Sequence, residues 1–244
     1  MDVLRAGVLI MANHPLPTYV VRRTDERPAG DLAWDGPPWA RAEALAVEHF
    51  HPASSGHRPR VQAKMLYDDE GVYGLFRVED RYVVCRHVGF QAHVYKDSCV
   101  EFFVRPKPDQ GYMNFEMNCG GSLLSFFIAD WTRKENPVDP LDEFADRTIM
   151  TPEIGSRVTI FHSLPARVEP EIEEDVTWCL EFHIPFSVFE HYLGPLGDVA
   201  GQEWRANFNK CADESSHPHW AAWSPIGEEL NLHQPDKFGV IRFE

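Results

Sequence analysis

The amino-acid sequence predicts an all-β protein, an antiparallel β-sandwich of jelly-roll type with one short helix and long rim loops. Short apolar runs alternate with polar residues at a period of two, turn signals separate them, and a helical period is sustained only once. The 244 residues are 43% hydrophobic and 12% aromatic, which suffices for a sizeable core. No repeat, low-complexity tract or Gly/Ser linker divides them, so residues 1–244 are expected to form one domain.

Residues 1–34 read as an extended arm, rich in Pro and Arg, that enters the fold near Trp34, the Asp35-Gly36 turn signal and Trp39. Within the arm, the apolar residues 6–12 behind Arg5 are at the lower limit for a signal-peptide core and lack an A-x-A cleavage site, which favours a cytoplasmic location. Met11 is an alternative start. No stretch approaches the roughly 20 apolar residues of a membrane span. Strands are expected at 61–67 and 71–80, and the Asp68-Asp69-Glu70 segment between them suits a tight hairpin.

The most informative stretch follows. Asp97-Ser98-Cys99-Val100-Glu101-Phe102-Phe103-Val104 and Tyr112-Met113-Asn114-Phe115-Glu116-Met117-Asn118 read as a second hairpin. One face carries Tyr112, Asn114, Glu116 and Asn118, the other Met113, Phe115 and Met117. A strand at 123–129 comes next. Residues 130–156, with Pro137, Pro140, Pro152 and no sustained period, read as a long surface loop. Strands at 157–163 and 176–184 lead to a helix over 185–193 closed by Gly194, and strands at 203–211, 219–223 and 238–243 complete the chain.

Amides and a carboxylate in a row can hydrogen-bond a polyhydroxylated ligand. The pattern recurs at Arg205, Asn207 and Asn209, at Glu181 and His183, and at Arg77 and Glu79. In one sheet these would merge into a single polar surface; taken singly, each is an ordinary wet face of an antiparallel strand. The formal charge of −15, from 38 acidic and 23 basic residues, argues against nucleic acid or an anionic membrane as partner and suits a divalent cation. The acidic segment 169–175 lacks the ligand spacing of an EF-hand and reads as a solvated turn. Five cysteines without a CxxC pair exclude a zinc ribbon and read as buried free thiols. His217, His219 and His233 with Asp213 or Glu214 lack a diagnostic metal spacing, and an exposed loop is the simpler reading. Serine-hydrolase, P-loop and dinucleotide fingerprints are absent from the sequence.

Five short marks, in this order, resemble carbohydrate-binding module family 9: Asp35-Gly36 followed by Trp39, Leu66-Tyr67-Asp68-Asp69, the strand from Asp97 to Phe103, Trp223-Ser224-Pro225, and Pro235-Asp236-Lys237-Phe238-Gly239. Its members are β-sandwiches attached to xylanases or standing alone. The resemblance implies non-catalytic binding of a mono- or oligosaccharide, a glycoside hydrolase as partner, and calcium as a candidate ion. It further implies two aromatic side chains clamping a terminal sugar ring, with a Glu, an Arg and Asn residues around its hydroxyls. Tyr95 and Glu101 match this pattern. Leu232 and His233 stand where the second aromatic belongs, with Trp220 as a replacement platform, and the Arg position falls at or near Glu116. The expected ligand set is therefore Tyr95, Glu101, Asn114, Glu116, Asn118, Arg205, Asn207, Trp220 and His233.

Two other readings compete. Glu101 and Glu116, from partner strands, have the residue types of a glycoside hydrolase, whereas Asp97 lies roughly 13 Å along the strand from Glu101, beyond the reach of either mechanism. An aromatic pocket without sugar affinity would instead mark a protein- or cofactor-binding module, for example one for haem.

Overall fold

The computed structural model describes residues 15–135, 137 and 143–244. In chain order the strands are β1 (Thr18–Arg23), β2 (Leu45–Ala46), β3 (His49–Phe50), β4 (Arg60–Tyr67), β5 (Gly71–Asp80), β6 (Val83–Cys85), β7 (Cys99–Arg105) and β8 (Tyr112–Asn118). They continue with β9 (Leu123–Arg133), β10 (Phe144–Ile149), β11 (Thr159–His162), β12 (Val168–Ile172), β13 (Val176–Pro185), β14 (Glu203–Cys211), β15 (Trp220–Ala222) and β16 (Gly239–Phe243). Two helices, α1 (Pro152–Gly155) and α2 (Phe186–Leu193), interrupt them.

The principal sheet runs β10-β9-β8-β7-β14-β16-β1-β4-β5-β13-β11 and folds back on itself at β1. The first half of β1 pairs in parallel with β16, and Arg22 and Arg23 at its end pair in parallel with β4. The strands on either side of β1 thus form two layers. Their inner faces meet in one aromatic core, where Phe102 of β7 stacks on Phe182 of β13 at 5.6 Å and Phe208 of β14 meets Phe76 of β5 at 6.0 Å. Val100, Met113, Phe115 and Met117 join this core, as the alternation of the 97–118 hairpin predicts.

Two expectations are corrected, the N-terminal arm and the loop at 130–156. Residues 18–23 are not part of a free arm: Tyr19 and Val21 are buried in the core, and their strand joins the two layers. The rest of the arm up to residue 14, including the 6–12 run and Met11, lies outside the described residues. The predicted β-sandwich is present and its pairing is antiparallel throughout the described residues except at β1, which is parallel to both neighbours. The expected loop at 130–156 contains the end of β9, all of β10 and the short α1, a second helix capped by the Thr151 side chain. Pro140 is outside the described residues. Among those described, no helix is long and apolar enough to cross a membrane.

The polar face of the 97–118 hairpin is not wet. Every residue of β8 is buried, because the loop before β7, the β9–β10 pair and the segment between β15 and β16 cover it. A second apolar cluster with Phe103, Tyr112, Phe126, Ile128, Phe144 and Phe238 forms there.

Candidate ligand pocket

Within the covered face, β8, β7 and β14 lie side by side, and their register sets the pocket floor. Glu101 stands directly opposite Glu116 on one side and Asn209 on the other, while Cys99 stands opposite Cys211. Directly opposed residues of antiparallel strands have Cβ atoms about 4.5–5.5 Å apart, so the two carboxyls share one patch. Above them is a cavity of about 290 Å³. Tyr95, Trp220, Phe126, Phe144 and Leu232 supply its apolar wall, and Asp213, His233 and the Arg133–Glu143 pair its polar rim.

Neutral groups bond the two floor carboxyls. Asn209 donates to Glu101 Oε2 at 3.1 Å and the Cys211 thiol to Oε1 at 3.1 Å. Asn114 donates to Glu116 Oε1 at 2.7 Å, and its own Oδ1 accepts the Phe126 N–H at 2.6 Å, which fixes the amide's orientation. Burial raises the pKa of both carboxyls, and the charge of Glu101 raises Glu116 further. Burial lowers His233 to about 3, so its ring is neutral at pH 7. The Tyr112 hydroxyl is 2.7 Å from His233 Nδ1, and Nε2 lies 3.8 Å from Glu116 Oε1. At the rim the Trp220 indole donates to Asp213 at 2.7 Å; burial raises this carboxyl despite the bond. Arg133 pairs with Glu143 and donates to Asn231 at 2.8 Å.

Of the expected ligand set, the fold brings Tyr95, Glu101, Glu116, Trp220 and His233 together around the cavity. Asn114 stands behind Glu116 as its donor. Asn118 bonds Asp97 and the His87 carbonyl, Asn207 bonds the Ser224 backbone, and Arg205 braces the carbonyls of Asp236 and Phe238. These three do not line the cavity. Glu181, His183, Arg77 and Glu79 belong to β13 and β5 in the other layer, so the single merged polar surface does not form; Glu181 instead accepts from Gly30 and Trp39. The histidines also part company: His219 contacts Lys210 and His57, His217 stacks on Tyr82, and only His233 reaches the pocket.

Sequence reasoning missed Arg133, Glu143, Phe126 and Phe144 as wall residues. For Phe126 the signal was the alternation of β9, whose even-numbered Leu124 and Phe126 face the same side as Glu116.

Among the described residues, no cluster of acidic side chains is spaced for calcium. Among the described residues the one group spaced for a metal is Cys99, Glu101 and Cys211, with donor atoms within 4.8 Å of one another. Two of its three donors are sulfur, whereas calcium takes oxygen. The acidic 169–175 segment disperses: Glu169 faces Arg86 and Arg167, Glu171 holds Ser216, and Asp175 faces Arg81.

A β-sandwich with a concave, aromatic-walled pocket over a hydrogen-bonding floor is a small-ligand-binding module. The chain belongs to carbohydrate-binding family 9, whose family model matches residues 39–243. A protein of Bacteroides uniformis provisionally described as carbohydrate-binding is 27% identical, with a TM-score of 0.78 over 94% of this chain and 100% of that one. A family 9 module of Caldicellulosiruptor kristjanssonii, solved with glucose, is 16% identical with a TM-score of 0.59 over 93% of this chain and 96% of that one. Its cellotriose complex aligns at 15% identity and a TM-score of 0.59, covering 93% and 94%. These two share the fold. A comparison with curated proteins finds no match.

Proposed function

We propose that this family 9 module binds the end of a mono- or oligosaccharide, without catalysis, in the pocket over Glu101 and Glu116. One observation carries the reading: paired, oriented hydrogen-bonding groups lie at the bottom of a cavity whose walls are aromatic. Tyr95 and Trp220 offer flat apolar surface to a ring, and Glu101, Glu116 and Asp213 accept from its hydroxyls. The volume is at the low end of the about 300–1,000 Å³ of ligand pockets, which suits one terminal ring rather than a chain. A glycoside hydrolase is the partner such a module would serve.

Hydrolysis fits the geometry less well. A glycosidase places its two carboxyls on opposite sides of the scissile bond. Glu101 and Glu116 lie side by side in one sheet, and each is already bonded to a neighbouring donor.

Calorimetric titration with mono- and oligosaccharides tests the proposal. Saturable binding is expected, weakened up to roughly tenfold in Tyr95→Ala, the equivalent of an aromatic contact of about 0.5–1.5 kcal/mol. Binding that Tyr95→Ala leaves unchanged would place the sugar elsewhere.

A further inference from the structure

The pocket is rich in carboxyls and poor in cations. Glu101, Glu116, Glu143 and Asp213 line it against one guanidinium, Arg133, which is already engaged by Glu143 and Asn231. The groups that bond the two floor carboxyls are an amide on Glu116 and an amide and a thiol on Glu101. Lys210, next in sequence to Cys211, points through the opposite face of β14 to Asp80 and His219. Glu101 and Glu116 are only 2% and 3% exposed. Like charges opposed across a strand pair destabilise each other, and burial removes the water that would screen them.

A neutral sugar leaves the repulsion between the two carboxyls to be relieved by bound protons alone. An ammonium group removes it, because it donates three hydrogen bonds and brings the opposite charge to a desolvated site. Tyr95, Trp220 and Phe144 add aromatic faces that attract a cation as well as a sugar ring.

We propose that the preferred ligand is an amino sugar, a hexosamine residue with a free amine seated between Glu101 and Glu116 and its ring against Tyr95 and Trp220. This rests on the sugar-site reading above and narrows it to a cationic substrate class.

The test is calorimetric titration of the full chain at pH 7 with glucosamine, N-acetylglucosamine and glucose. The expected result is glucosamine binding at least tenfold tighter than either neutral sugar, since acetylation removes the charge and keeps the ring. Glu116→Gln should shrink that ratio severalfold. Glucose or N-acetylglucosamine binding as tightly as glucosamine would overturn the inference and leave the sugar site standing. Binding of none of the three, nor of any oligosaccharide, to folded protein would overturn both. The wild-type ratio decides the matter even if the variant folds poorly.

Discussion

Glu116, on the floor of the proposed sugar site, makes stability depend on pH. Its carboxyl is buried opposite Glu101, and both facts raise its pKa above the value of about 4.3 it has in an unfolded chain. Between those two values the folded state holds more protons than the unfolded state, so its contribution to stability falls as pH rises through that window. Glu116→Gln keeps an oxygen for Asn114 and removes the charge. The variant should match the wild type near pH 4 and become progressively more stable than it towards pH 7. Urea unfolding across that range checks this; a constant difference would mean that Glu116 does not titrate as its burial demands. His233 carries the opposite lesson. Burial keeps it neutral, and Tyr112 holds Nδ1, so Tyr112→Phe should loosen the 230–234 segment over the pocket and weaken ligand binding more than it lowers Tm.

At the scale of elements, close packing between strands is the sensitive feature. Gly74 of β5 stands opposite Phe182 of β13, and a methyl group added there would lie 2.1 Å from the Phe182 ring. That ring also stacks on Phe102, so it has no free space to retreat into. Gly74→Ala should therefore cost about 1–3 kcal/mol by overpacking, read as a lower denaturation midpoint. The hairpins β4–β5 and β7–β8 were legible in the sequence because one face of each meets the main core, which imposes a clean period of two. β10 was not: it runs Phe-Ala-Asp-Arg-Thr-Ile, buries only Phe144 fully, and sits at the sheet edge, where packing enforces no alternation. β1 was hidden for another reason. Its partners are β16, over 200 positions away, and β4, and no local pattern announces parallel pairing. The pocket was half legible in consequence. Its floor came from the well-patterned hairpin, whereas Arg133 and Glu143 of the rim and Phe144 of the wall lie in the stretch that reads as a loop.

For the whole molecule, the main question is what holds the two layers in register. Beyond the aromatic core, Lys210 of β14 and Asp80 of β5 form a fully buried pair at 3.7 Å, joined by His219 at 2.9 Å from the Lys210 amine and by His57 at 2.7 Å from Asp80. Burial alone would raise Asp80, but Lys210 and then His57 outweigh it and hold the carboxyl down to about 2. Lys210→Met removes the full cation facing that buried carboxylate and should cost about 3 kcal/mol, and adding Asp80→Asn should recover part of the loss. Failure of the second change to recover anything would show that the pair does not act as a unit. The same architecture explains why the polar strand face became a pocket. With one face of the β7–β8–β14 layer committed to the main core, the loops on its other face close over Glu101 and Glu116 and exclude water from groups that would otherwise be solvated. The most direct test of this account is a crystal structure of the protein with the sugar that binds it most tightly. The account predicts a single ring over Glu101 and Glu116, flanked by Tyr95 and Trp220. A sugar bound on the other layer, or at the rim without contact to either carboxyl, would contradict it.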